Sequence, residues 1–179
     1  ASFTITEAPI LSLSMVNANI SCNAGSDGAI NLTVSGGTGP FTYAWTTGDG
    51  TILSGQGDDE DLTGLVTGTY AVTVTDANGC VETLASSAIT APAVLTVGVV
   101  KDNDVTCKDG NDGMATATPV GGTAPYTYFW SNGASTAVVS NFAAGTYSLN
   151  VIDALGCTTS GSVTITEPSA LTVTTVAVD

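Results

Sequence analysis

Apolar and polar residues alternate along much of the chain with a period of two. In Ala29-Ile30-Asn31-Leu32-Thr33-Val34 the residues Ile30, Leu32 and Val34 fall on one side. Phe41, Tyr43 and Trp45 alternate with Thr42 and Ala44, and Tyr70, Val72 and Val74 with Ala71, Thr73 and Thr75. Tyr147, Leu149 and Val151 follow the same rule. A period of two places such residues on one face of a pleated strand, and Thr and Val suit a half-buried sheet. Turn formers separate the runs: Ser26-Asp27-Gly28, Gly36-Gly37-Thr38, Asn78-Gly79 and Asn132-Gly133. No stretch sustains a helical period. The pattern predicts an all-β chain of tandem immunoglobulin-like β-sandwich modules, each with about seven short strands. Leu65-x-x-Gly68-x-Tyr70 and Phe142-x-x-Gly145-x-Tyr147 each put a Tyr just after a turn, as in the tyrosine corner of such sandwiches. Trp45, Trp130, Tyr70 and Tyr147 are therefore expected in the core.

The modules are copies. Cys22, Gly28, Gly36-Gly37, Pro40 and Trp45 recur 85 residues later as Cys107, Gly113, Gly121-Gly122, Pro125 and Trp130. Beyond that the offset drops to 77, with Gly68-Thr69-Tyr70 matching Gly145-Thr146-Tyr147 and Cys80 matching Cys157. The eight-residue difference lies between Thr46–Thr67 of the first copy and Ser131–Ala144 of the second, which marks a surface loop on a preserved scaffold. Ile5-Thr6-Glu7-Ala8-Pro9, Ile89-Thr90-Ala91-Pro92 and Ile165-Thr166-Glu167-Pro168 are equivalent joints, where Pro lacks a ladder donor and stiffens the chain. They divide the sequence into residues 1–8 as the last strand of a preceding repeat and complete repeats at 9–91 and 92–167. Residues 168–179 are then expected as the first strand of a following repeat.

Composition narrows the chemistry. Among 179 residues there are 16 acids, two Lys, no Arg and no His, giving a net charge of −14. Nucleic acid is excluded as a partner, because phosphate binding requires clustered Lys and Arg. No apolar run approaches the roughly 20 residues of a membrane-spanning helix, so membrane insertion is not expected. Without His there is no Ser-His or Cys-His nucleophile, and no marked pair of carboxylates suggests a glycosidase, so the chain is not expected to be an enzyme and requires no cofactor.

Each copy carries one early and one late cysteine: Cys22 with Cys80, and Cys107 with Cys157. One pair per copy predicts a disulfide inside each repeat, formed in an oxidising compartment, with two pairs of buried thiols as the alternative. Zinc is disfavoured by the lack of His and of C-x-x-C spacing. Calcium is the one metal the sequence invites: Asp58, Asp59 and Asp61 in the loop, Asp102 and Asp104 after a Pro joint, and Asp109 and Asp112 in a loose calcium-loop echo. Asp-Gly turn chemistry explains the same residues. Tyr43, Trp45, Tyr128 and Trp130 offer either a sugar-stacking platform or the sandwich core.

Taken together, the motifs resemble the SprB repeat: an early Cys with Ser/Asn-Asp-Gly, Gly-Gly-Thr-x-Pro-Phe/Tyr-Thr-Tyr-x-Trp, Gly-Thr-Tyr-x-x-x-Val-x-Asp-Ala-x-Gly-Cys, and Ile-Thr-x-Pro. The resemblance covers nearly the whole chain, twice. It implies a tandem module of a very large surface adhesin of gliding Bacteroidetes, exported by type IX secretion and displayed on the cell surface in an outer membrane-anchored filament. It also implies neighbouring repeats and the gliding machinery as partners, with surface polysaccharide or substratum as a possible ligand. A carbohydrate-binding or spacer module of a secreted polysaccharide-acting protein is the competing expectation.

Overall fold

The computed structural model describes residues 7–175. The chain divides into two compact units, 1–92 and 93–179. In the first, the described strands are β1 (Ser12–Ala18), β2 (Gly28–Ser35), β3 (Thr42–Thr47), β4 (Leu62–Leu65), β5 (Gly68–Thr75) and β6 (Val81–Ile89). In the second they are β7 (Thr96–Asn103), β8 (Gly113–Val120), β9 (Thr127–Trp130), β10 (Val138–Phe142), β11 (Gly145–Ile152) and β12 (Thr158–Ile165).

Each unit is two antiparallel three-stranded sheets, in the order β1-β2-β4 and β3-β5-β6, repeated as β7-β8-β10 and β9-β11-β12. A seven-stranded immunoglobulin sandwich sets its first, second and fifth strands in one sheet with the fourth at the edge, and its third, sixth and seventh in the other. The order found here is that arrangement without the fourth strand. Among the described residues six strands form in each unit rather than about seven; in the first, the stretch between β3 and β4 turns back on itself, with Gln56 and Asp59 donating their N–H groups to the Leu53 and Gln56 carbonyls, and in the second a tight turn follows β9, with Gly133 donating to Trp130.

The alternation read from the sequence is the alternation of burial. Along β5, Tyr70, Val72 and Val74 are buried and Thr69, Ala71, Thr73 and Thr75 half-buried. Ile30 and Leu32 of β2, Leu62 and Leu65 of β4, Trp45 of β3 and Ile89 of β6 close the first core from both sheets. Ala115, Ala117, Trp130, Val139, Phe142, Leu149, Val151, Val163 and Ile165 build the second. Gly28 and Gly113 open β2 and β8 where a Cβ would lie 2.9 Å from the carbonyl oxygens of Leu65 and Phe142, so the sheet closes there only over glycine. Gly36-Gly37 and Gly121-Gly122 all have positive φ, the left-handed turn that glycine adopts without strain.

Residues 1–6 and 176–179, and with them much of the expected strands at 1–8 and 168–179, lie outside the described residues. The described part of the latter, 168–175, forms no strand, and Leu171 and Val173 are 94% and 82% exposed. In the first repeat the equivalent segment is β1, which pairs along its full length with β2; no such partner strand accompanies residues 168–175.

Candidate functional site: the two ends of each repeat

Three regions bear on function: the tyrosine corner with its covering loop, the end of the repeat at which the chain arrives, and the end from which it departs.

At the corner, the Tyr70 hydroxyl donates to the Val66 carbonyl at 3.0 Å, and that of Tyr147 to Ala143 at 3.1 Å. Both bonds reach four residues back, the mark of a tyrosine corner. The insertion makes the two copies differ. In the first repeat Thr51 donates its backbone N–H to the Tyr70 hydroxyl at 3.3 Å, and Tyr70 is fully buried. In the second, with eight fewer residues, Tyr147 is half-buried and leans on Phe142 at a ring distance of 4.2 Å. Residues 46–67 are thus a lid on the corner.

That lid also places the first acidic cluster. Asp61 accepts the backbone N–H of Leu32 at 2.9 Å and the side-chain amide of Asn31 at 3.3 Å. The Asp59 carbonyl accepts the Trp45 indole N–H at 2.8 Å, a role taken by Thr136 for Trp130 in the second repeat. Asp58 is exposed. Asp102 accepts from the Thr116 hydroxyl at 2.7 Å. Asp104 accepts from Lys101 and from the Thr166 N–H, both at 2.7 Å, and these bonds hold its pKa down at about 2. Asp109 pairs with Lys108 at 2.6 Å. Asp112 accepts from the hydroxyl and N–H of Thr106, which lowers its pKa. Among the described residues no three acidic or metal-ligating side chains converge on one point.

The aromatic rings expected as core or sugar platform are core. Trp45 and Trp130 are 7% and 4% exposed, and Tyr43 and Tyr128 pack against the same clusters.

At the arriving end, Gly37 donates its N–H to Pro9 in the first repeat, and Gly122 donates to Ala93 in the second, both at 2.9 Å. Beneath each turn sits a buried carboxylate that was not singled out as a site residue in the sequence. Asp76 accepts the N–H groups of Thr38, Asn78 and Cys80 at 3.0, 2.9 and 2.8 Å. Asp153 accepts those of Thr123, Leu155 and Cys157 at 2.8, 2.9 and 2.9 Å. The Cys80 amide, followed by those of Thr38 and Asn78, keeps the Asp76 pKa low despite burial. For Asp153 burial works to raise the pKa, and the amides of Thr123, Cys157 and Leu155 outweigh it. The copied Asp-Ala-x-Gly-Cys was the available signal: an acid at one place in both copies, before a tight turn, is an anchor for that turn's N–H groups.

At the departing end, the Ile20 N–H bonds to Thr90 and the Val105 N–H to Thr166, both at 3.0 Å. Just beyond, the early cysteines sit in tight turns: Gly25 donates to the Cys22 carbonyl at 2.9 Å and Gly110 to Cys107 at 3.0 Å. Asp27 and Asp112 brace the turns through Ser21 and Thr106.

This geometry corrects the expected cysteine pairing. Cys80 immediately precedes β6, whereas Cys22 lies beyond the Ile20–Thr90 bond at the far end of that strand. Nine residues at about 3.3 Å each put roughly 30 Å between them, and a disulfide needs Cα atoms within about 7 Å. Cys157 and Cys107 are separated in the same way by β12. Accordingly Cys80 and Cys107 are free, exposed thiols, while Cys22 and Cys157 are disulfide-bonded. Neither pair within a repeat is made.

Residues 16–50 and 102–135 each match the family model of the SprB repeat, one segment in each copy. No curated protein matches the chain. Among solved structures, the C-terminal 282-residue fragment of intimin in complex with the intimin-binding domain of its translocated receptor is 16% identical, with a TM-score of 0.46. The alignment covers 89% of this chain and 64% of that one. The amphioxus IgVJ-C2 molecule is 17% identical with a TM-score of 0.34, covering 90% and 98%.

Proposed function

We propose that the chain is a pair of structural repeats from a cell-surface adhesin filament, acting as a stalk in surface attachment and gliding motility. One observation carries this reading: in each repeat the chain arrives at one end of the sandwich and departs at the other. Modules of that kind add length in series rather than folding back on themselves. The SprB repeat match supports the surface-adhesin setting. Type IX export, outer-membrane anchoring and a gliding-machinery partner belong to the same reading. It assigns no catalysis to the chain, and adhesion to surface polysaccharide or substratum falls to other parts of the filament.

The competing reading is a carbohydrate-binding or spacer module of a secreted polysaccharide-acting protein. A glycan array separates the two. The stalk reading expects no saturable binding by the chain, and strong binding to one glycan class would replace it.

A further inference from the structure

We propose that the outer face of the β9-β11-β12 sheet, anchored by Phe129, is a lateral pairing surface that takes the same face of a second copy of this chain. The inference goes beyond the stalk reading, which concerns length along one chain, to how separate chains lie side by side.

Charge is the first support. The chain carries a net charge of −14, yet residues 113–152 and 154–166 contain no Asp, Glu, Lys or Arg. Those two stretches supply every residue of β9, β11 and β12. Two copies of so acidic a chain repel each other wherever their carboxylates meet. A face without ionisable groups is where an identical chain approaches free of that repulsion, whereas a basic partner would be drawn to the acids elsewhere.

The relief of the face is the second. Leu149 and Val151 of β11 are buried in the core, so their neighbours along the strand point outward. Phe129 is 52% exposed and stands beside Asn150, which stands beside Ser160. Ser148 and Ser162 form the next row. The equivalent row of the first repeat is Ala44, Thr73 and Thr83, uncharged but without the ring. An exposed aromatic ring set among hydroxyls and an amide has the makeup of an interface anchor with a polar rim. The other sheet of the repeat does not qualify. It exposes Val100 and Val138 on either side of Thr116, but Asp102 accepts the Thr116 hydroxyl there at 2.7 Å. Pairing through that sheet would set carboxylate against carboxylate.

Size fixes the strength. Three strands of up to eight residues cover about 14 by 26 Å, roughly 370 Å² per copy. The two copies together bury about 700 Å², below the roughly 1,200 Å² of a stable complex. One pair of chains therefore associates weakly, and longer arrays gain by repeating the contact.

The test is sedimentation equilibrium of the full chain, with the exposed thiols of Cys80 and Cys107 alkylated so that no disulfide joins copies. Average mass should climb from monomer towards dimer between about 0.05 and 1 mM. Asn150→Asp and Asn150→Lys should each hold the chain monomeric through that range, and mixing the two should restore the dimer. Restoration in the mixture separates a charge placed in the contact from a variant that fails to fold. Thr118→Asp, which puts a charge on the exposed side of β8 in the other sheet, should leave association unchanged. A chain still monomeric at about 1 mM would overturn the proposal. So would an Asn150 variant that pairs alone as readily as the parent, a mixture no more dimeric than its components, or loss of the dimer in Thr118→Asp. The stalk reading survives each of these results, since it is decided by glycan binding and by the dimensions of longer arrays.

Discussion

Asp61 holds the backbone N–H of Leu32 at 2.9 Å, in the place where the second repeat sets a backbone carbonyl: the equivalent N–H, that of Ala117, bonds to Ala137 at 2.8 Å. A side chain from the longer loop thus completes the edge of a sheet that the shorter loop completes with its own main chain. Leu32 is 3% exposed, so an unpartnered N–H there would go unsolvated. Asp61→Ala is expected to cost about 1–2 kcal/mol, and Asp61→Asn less, because its carbonyl oxygen still accepts. Urea denaturation of the three proteins checks the order; equal midpoints would show that the loop carbonyls can take over.

The lid predicts an asymmetry between the two tyrosine corners. Tyr70→Phe removes a buried donor to Val66 and an acceptor for Thr51, whereas Tyr147→Phe removes one bond at an open position. The first change should destabilise its repeat by about 1–2 kcal/mol and the second by less than half of that. Tyrosine-corner substitutions read by denaturation would contradict the lid if Tyr147→Phe proved the costlier.

Acid should weaken both repeats. Asp27, Asp76, Asp104, Asp112, Asp153 and Glu167 all have lowered pKa values in the fold, Asp104 at about 2. A carboxyl whose folded pKa lies below its unfolded value stabilises the protein fully above the unfolded pKa and loses that contribution as pH falls towards the folded one. Melting temperature should therefore be level from neutral pH down to about 5 and decline from about 4 towards 2. Asp76→Asn and Asp153→Asn should flatten that decline while lowering stability at neutral pH. A curve that rises on acidification would contradict the anchoring role of these carboxylates.

Calcium should leave the melting temperature unmoved. The oxygens of Asp61, Asp102, Asp104 and Asp112 are engaged by amides, hydroxyls and a lysine, and among the described residues no cluster of three ligands forms. Scanning calorimetry with millimolar calcium and then with chelator checks this; a calcium-dependent rise would return Asp58 and its neighbours to consideration.

Much of this was legible in the sequence, because period-two alternation and repeat self-similarity are local signals. Burial along β2 and β5 follows the apolar alternation, and both tryptophans and Tyr70 are buried as expected, whereas Tyr147, expected in the core, is half-buried where the second repeat lacks the longer loop. Cysteine pairing was not legible. Copy number says that each repeat owns two cysteines, but which end of the sandwich each occupies depends on the strand directions, and those follow from the sheet order. The roles of Asp76, Asp153 and Asp61 were hidden for a related reason. An acid that anchors a turn and an acid that ligates a cation read alike until the N–H groups facing them are known.

The central claim is that these repeats build length, and small-angle scattering from polypeptides of two, four and six repeats tests it most directly. A strand of eight residues spans about 26 Å, and with its turns each repeat should add roughly 40 Å to the maximum dimension in equal steps. A radius of gyration that instead grows with chain length only as a compact globule does, with an exponent of about 0.38, would contradict the stalk.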